Sequence, residues 1–151
     1  MRKTYLGVIP NTHVRDFQRK KVYDAEEQCA FWQEGLKHPL LSSEEVAVLV
    51  KNISEWASIK QPDILYEPSH AFPIAYATAD LLVLPFKRAS SLPYICHEMA
   101  HVVNYNSTKE DHHGRNFTHT YLQIVKKFIG VLASRELKQA FKVQRVKYVR
   151  A

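Results

Sequence analysis

Cysteine is scarce in this chain: Cys29 and Cys96 are the only two in 151 residues. That is too few for a disulfide framework or a cysteine-based zinc finger, so any metal site must be built from histidine and carboxylate side chains. Long apolar runs are also missing. Stretches such as residues 81–85 fall far below the roughly 20 residues that span a bilayer, and no membrane association is expected. Arg2 and Lys3 precede only a short apolar patch at residues 6–9, which Pro10 and Asn11 interrupt. No secretory signal of the usual length is read there, and cytoplasm is the expected compartment. Low-complexity tracts and internal repeats are absent too.

The remaining composition is that of a folded protein, with 46% apolar and 24% charged residues. The length suits one compact core and is short for two, so residues 1–151 are expected to form a single domain, and a monomer. The net charge is +6 and the pI near 9.3. Residues 135–150 carry six Lys/Arg against one Glu. Such a stretch can make a weak contact with nucleic acid or another polyanion, although a solvated basic helix face is the simpler reading.

Apolar residues Val22, Ala25, Cys29, Trp32 and Leu36 recur at 3-4-3-4 spacing, which predicts one amphipathic helix over residues 15–36, closed by Pro39. Ser42 followed by Glu45 predicts a capping box. The helix it starts turns Val46, Leu49, Val50, Ile53 and Trp56/Ala57 inward and ends by Pro62. Three short stretches, 64–66, 74–78 and 81–84, read as a small sheet with a turn at Ala79-Asp80. Ser90 and Ser91 are N-cap candidates for a helix with Pro93 in its first turn that runs to about Tyr105. Further helices are expected from Phe117 to a stop at Gly130 and from Ser134 to about Lys147. The class is α+β.

Chemistry concentrates in residues 97–117. His97 and His101 are four apart, so on a helix their imidazoles lie one turn apart on one face, within reach of a single metal ion, with Glu98 beside them. Ile95, Cys96, Met99, Val102 and Val103 gather on the other side as core. Chance alone yields about 0.03 such His-Glu-x-x-His matches in a chain of this composition. A catalytic zinc ion needs three protein ligands and an open position for water. His112, His113 and His119 are candidates for the third ligand, with Asp111 and Glu110 as carboxylate alternatives. His113 is preferred, because Gly114 permits a tight turn and Phe117, one turn on, can anchor the next helix in the core.

His97-Glu98-Met99-Ala100-His101, a polar loop, and His113-Gly114-Arg115-Asn116-Phe117 together resemble the SprT-like zinc metallopeptidases, whose pattern is HExxH followed by His-Gly-x-x-Phe/Trp. Arg15-Asp16-Phe17-Gln18-Arg19-Lys20-Lys21-Val22-Tyr23-Asp24-Ala25-Glu26, taken with that site, is similar to a family of small metallohydrolases of actinobacteria and their phages. The resemblance implies a single-domain zincin-like fold, Zn2+ held by His97, His101 and His113, and Glu98 as catalytic acid/base. It also implies an edge strand above the active-site helix that receives an extended protein or peptide substrate, with the 74–84 region as the candidate. Two departures stand out. No cysteine-based zinc ribbon follows the motif, and the third element reads Gly-Arg-Asn-Phe where Gly-Pro-Glu-Phe is common.

Zinc on three neutral imidazoles lowers the pKa of a bound water toward neutrality, and Glu98 would take its proton and pass it to the departing amine. Tyr105, Arg115 and His119 are open candidates for stabilising the oxyanion. The outer groups that orient each histidine cannot be named from sequence. The alternative to an enzyme is a non-catalytic, zinc-stabilised module that binds nucleic acid or protein, with His112 as a fourth ligand.

Overall fold

A computed structural model describes residues 16–37, 40–67, 75–85, 91–107 and 111–148. Expectations that rest on Arg15, Pro39, Ile74, Ser90 or Glu110 lie outside the described residues. The N-terminal apolar stripe folds as two helices, α1 (Arg19–Glu27) and α2 (Ala30–Lys37), where one was expected. Val22, Ala25, Cys29 and Trp32 are buried as their spacing requires, but Leu36 is exposed. The break at Gln28 and Cys29 has a distant cause. The Glu136 carboxylate accepts hydrogen bonds from the backbone N–H groups of Ala30 (2.7 Å) and Phe31 (3.1 Å), satisfying donors that open with a new helix.

Helix α3 (Ser43–Ala57) begins with the expected capping box: Ser42 Oγ accepts from Glu45 N at 3.1 Å, and Glu45 Oε1 accepts from Ser42 N at 2.9 Å. It buries Val46, Val50 and Ile53 while Trp56 stays exposed. It stops before Pro62 is reached, because Ser58 turns left-handed at φ 56.

Three strands follow, β1 (Asp63–Glu67), β2 (Tyr76–Ala77) and β3 (Leu81–Pro85), in the order β1-β3-β2. β3 is central, parallel to β1 and antiparallel to β2. Being flanked on both sides, it buries Leu82 to 0% exposure and Leu84 to 0%. The turn at Ala79-Asp80 forms, with Thr78 N donating to Leu81 O (2.8 Å) and Thr78 Oγ1 to Asp80 Oδ1 (3.1 Å). Among the described residues of the 74–84 region, only β2 is an edge strand.

Helix α4 (Leu92–Tyr105) carries Pro93 in its first turn, but Ser91 makes no side-chain capping bond. Helices α5 (Arg115–Phe128) and α6 (Val131–Val143) follow. α6 begins and ends earlier than expected. Gly130, at φ 150, lets the chain turn straight from one helix into the next, and left-handed Arg145 (φ 60) closes α6 with Val146 N donating to Phe141 O at 2.8 Å.

The described residues thus form an α+β fold with α4 in its middle, against α2, α3, α5, β2 and β3. Gly35 allows α2 to approach α4 closely, since a Cβ there would lie 2.4 Å from Pro93 Cγ. Ten of the 14 residues of α4 are buried, including His97, Glu98 and His101. Its polar face is therefore inside the protein and needs partners. Among the described residues, no helix is long and apolar enough to cross a membrane.

Candidate metal centre

The helical spacing of four brings His97 and His101 together, with ring centroids 5.2 Å apart. His113 joins them from the start of α5: its Nε2 lies 3.2 Å from His101 Nε2 and 3.3 Å from His97 Nε2. One ligand atom from each of the three buried residues lies within 4.8 Å of the others. Tetrahedral coordination at metal–nitrogen distances of 2.0–2.1 Å places ligand atoms about 3.3–3.4 Å apart, so the donor set fits one metal ion.

The other ring nitrogens explain why the Nε2 atoms converge. His97 Nδ1 meets Glu26 Oε2 at 2.5 Å, and the same oxygen accepts from Tyr121 Oη at 2.6 Å. His113 Nδ1 meets Asp16 Oδ2 at 2.7 Å. Each carboxylate holds an N–H on the Nδ1 it faces, which leaves Nε2 as a lone pair aimed inward. Lone pairs that face one another at such distances call for a proton or a cation between them. His101 Nδ1 is buried and has no hydrogen-bond partner among the described residues.

Titration follows from these contacts. Burial pulls His97 down, but the charge and hydrogen bond of Glu26 outweigh it, so His97 is raised above the usual histidine range. Burial holds His101 well below that range, and the charges of His113 and His97 add to the effect. His113 is also lowered, by burial first, against the opposing hydrogen bond of Asp16. Glu98 is pushed up to about 7 by burial, with His97 opposing and Glu26 reinforcing the shift; its Oε2 lies 3.9 Å from His97 Nε2.

Aromatic rings fix the donors. Phe117 is fully buried and stacks on His101 at 4.3 Å and 23°. It also lies 4.9 Å from His113 and 5.1 Å from His97. It thus anchors α5 as expected. Gly114 acts differently from its expected turn role. Its φ of −76 is ordinary, and the left-handed residue is His112, at φ 57. What Gly114 provides is room, since a Cβ there would meet Asp111 Oδ2 at 2.6 Å. Asp111 is a cap and not a ligand: its carboxylate accepts from Asn116 N (2.8 Å) and Phe117 N (3.1 Å).

The remaining candidates fall elsewhere. His112 is not in the donor group. His119 lines a separate cavity on the α5–α6 face, with Lys126, Arg135 and Lys138. A cleft of ≈ 300 Å³ leads to the centre itself, lined by residues of α1 and α2, by Ala75 just before β2, and by Tyr94, His97 and Glu98 of α4.

Sequence reasoning missed Asp16 and Glu26. For Glu26 a signal existed: it falls four residues after Val22 and three before Cys29, on the buried stripe of the helix, where an unpaired carboxylate is costly. Compared with protein-family models, curated proteins and solved structures, the chain shows no significant match.

Proposed function

We propose that this chain is a zinc-dependent metallohydrolase of zincin-like fold that cleaves peptide bonds. The observation that carries the reading is Glu98, a buried carboxylate outside the three-histidine donor set that opens onto the same cleft as His97. A site that only held a metal for structure would use a fourth protein ligand and would have no need of an acid/base beside it. His97, His101 and His113 would hold the ion. Zinc held there would supply Lewis acidity toward a carbonyl oxygen and would acidify a bound water.

The chain's own groups do the rest. Glu98, raised to about 7 by burial, is placed to take a proton from the attacking water and deliver it to the departing amine. Positive charge at the centre, like that of His97, opposes the shift and favours the carboxylate form that accepts the proton. The stacked rings of Trp32 and Tyr94, 5.7 Å apart, wall the cleft. Edge strand β2, whose preceding residue Ala75 lines the cleft, offers its backbone to an extended peptide, a mode that reads main chain more than side chains.

The test is elemental analysis of purified wild type, His113→Ala and Glu98→Gln, with proteolysis of an unfolded protein assayed on the same samples. One zinc per chain is expected in wild type and in Glu98→Gln, weakened binding in His113→Ala, and cleavage by wild type alone. Undiminished cleavage by Glu98→Gln would sink the mechanism.

A second reading, the non-catalytic zinc-stabilised module, draws on one observation. The α5–α6 cavity of ≈ 350 Å³ is lined by Lys126, Arg135, Lys138 and His119, with no carboxylate among its lining residues, and suits a polyanion such as nucleic acid. Zinc retained in all three proteins with cleavage in none would favour this module.

A further inference from the structure

Arg19, Tyr23 and Glu27 recur every fourth residue, so they share one face of α1, and all three line the cleft that reaches His97 and Glu98. The Tyr23 ring meets the His113 ring edge-on at 5.3 Å and lies 6.0 Å from the His97 ring. It therefore borders two of the three donors, lines the cleft and keeps 41% of its surface exposed. The other phenol in the cleft, Tyr94, is stacked on Trp32 and forms part of the wall. None of the three oxyanion candidates named from sequence lines this cleft: His119 belongs to the α5–α6 cavity, Arg115 is exposed at the start of α5, and Tyr105 lies beyond His101 with its ring 6.3 Å away.

We propose that Tyr23 is a catalytic residue, whose hydroxyl donates a hydrogen bond to the carbonyl oxygen of the scissile bond as that oxygen gains negative charge. The inference rests on the metallohydrolase reading. The phenol keeps its proton throughout; no bond to Tyr23 forms or breaks, and the proton that reaches the amine travels through Glu98. A neutral phenol suits the task because its apolar ring packs against the imidazoles while its O–H can donate to developing charge, where a donor held in place acts without reorganising water. Arg19 and Glu27, one turn to either side, bring opposite charges to the same face.

The experiment compares Tyr23→Phe with Tyr66→Phe, on β1 and not among the residues that line the cleft, as control, both zinc-loaded. It reads zinc content, kcat and KM on a quenched peptide, and the dissociation constant of a peptide phosphonamidate, whose tetrahedral anion imitates the charge distribution of the attacked carbonyl. Tyr23→Phe retains the ring and its packing, so zinc content should stay at one per chain. Its kcat should fall by about 10²-fold with KM within about 3-fold, and its phosphonamidate affinity should weaken in parallel. Tyr66→Phe should stay within about 2-fold in every readout. Unchanged kcat and phosphonamidate affinity in Tyr23→Phe, while wild type cleaves, would overturn the role of Tyr23 and leave the peptidase reading intact. Parallel loss of zinc and activity would make Tyr23 a packing residue and overturn the role too. Absence of cleavage by zinc-loaded wild type overturns both.

Discussion

The most informative substitution is Glu26→Gln, because it changes one charge on an atom whose partners are known. Glu26 Oε2 accepts from both His97 Nδ1 and Tyr121 Oη, and the residue is 2% exposed. A glutamine oxygen in the same place can keep both hydrogen bonds, so packing and bond count persist and only the charge is lost. A hydrogen bond to an ionised acceptor contributes about 1.5–3 kcal/mol and a neutral one about 0.5–1.5, a difference near 1–1.5 kcal/mol. That is about tenfold in metal affinity, at the low end of the 10–100-fold typical for groups that orient a ligand imidazole. Because the Glu26 charge also holds His97 above the usual histidine range, the metal-free Tm should fall at pH values below that raised pKa and move little above it. Zinc affinity measured by competition with a chromogenic chelator, together with thermal unfolding with and without zinc, separates the two effects. A zinc Kd unchanged within about 2-fold would refute the orienting role.

Other outcomes follow from the same geometry. Zinc affinity should fall about tenfold per pH unit once pH drops through the raised pKa of His97, because one proton must leave for the metal to bind. The dependence should steepen further toward acid, where His113 and His101, both held low, begin to take up protons. The His97 shift also has the sign of a stabilising pair: its contribution to the metal-free fold is complete below the unfolded histidine pKa and lost as pH rises through the folded one. A three-proton dependence starting already near pH 7 would contradict this order. Phe117→Ala should cost about 3–5 kcal/mol in unfolding free energy and weaken zinc binding, since the ring fills the core and stacks on His101; normal zinc binding in a folded variant would show that the ring does not hold the donors. Ser58→Gly should stabilise by up to about 1 kcal/mol, read as a shift in denaturant midpoint, because Ser58 is left-handed at φ 56 and glycine adopts that conformation without strain. A lower midpoint would refute the argument.

What the sequence determined by itself is what a few consecutive turns of chain encode. The capping box at Ser42 and Glu45, the stripe of Val22, Ala25, Cys29 and Trp32, and the pairing of His97 with His101 depend on backbone period alone, and each appears in the fold. The choice of His113 over its neighbours was legible through Phe117, one turn on, because a donor next to a core anchor has little freedom to point elsewhere. Tertiary structure decided whatever joins distant segments. The break between α1 and α2 is capped by Glu136, 106 residues from Ala30. Asp16 and Glu26 lie 97 and 71 residues from the histidines they orient. The parallel pairing of β1 with β3, around a strand that intervenes in sequence, likewise has no local signature. Periodicity says which face of an element is apolar, but not which element will cover it. At the candidate metal centre that second decision selects the carboxylates, and with them the imidazole nitrogens left free to meet an ion.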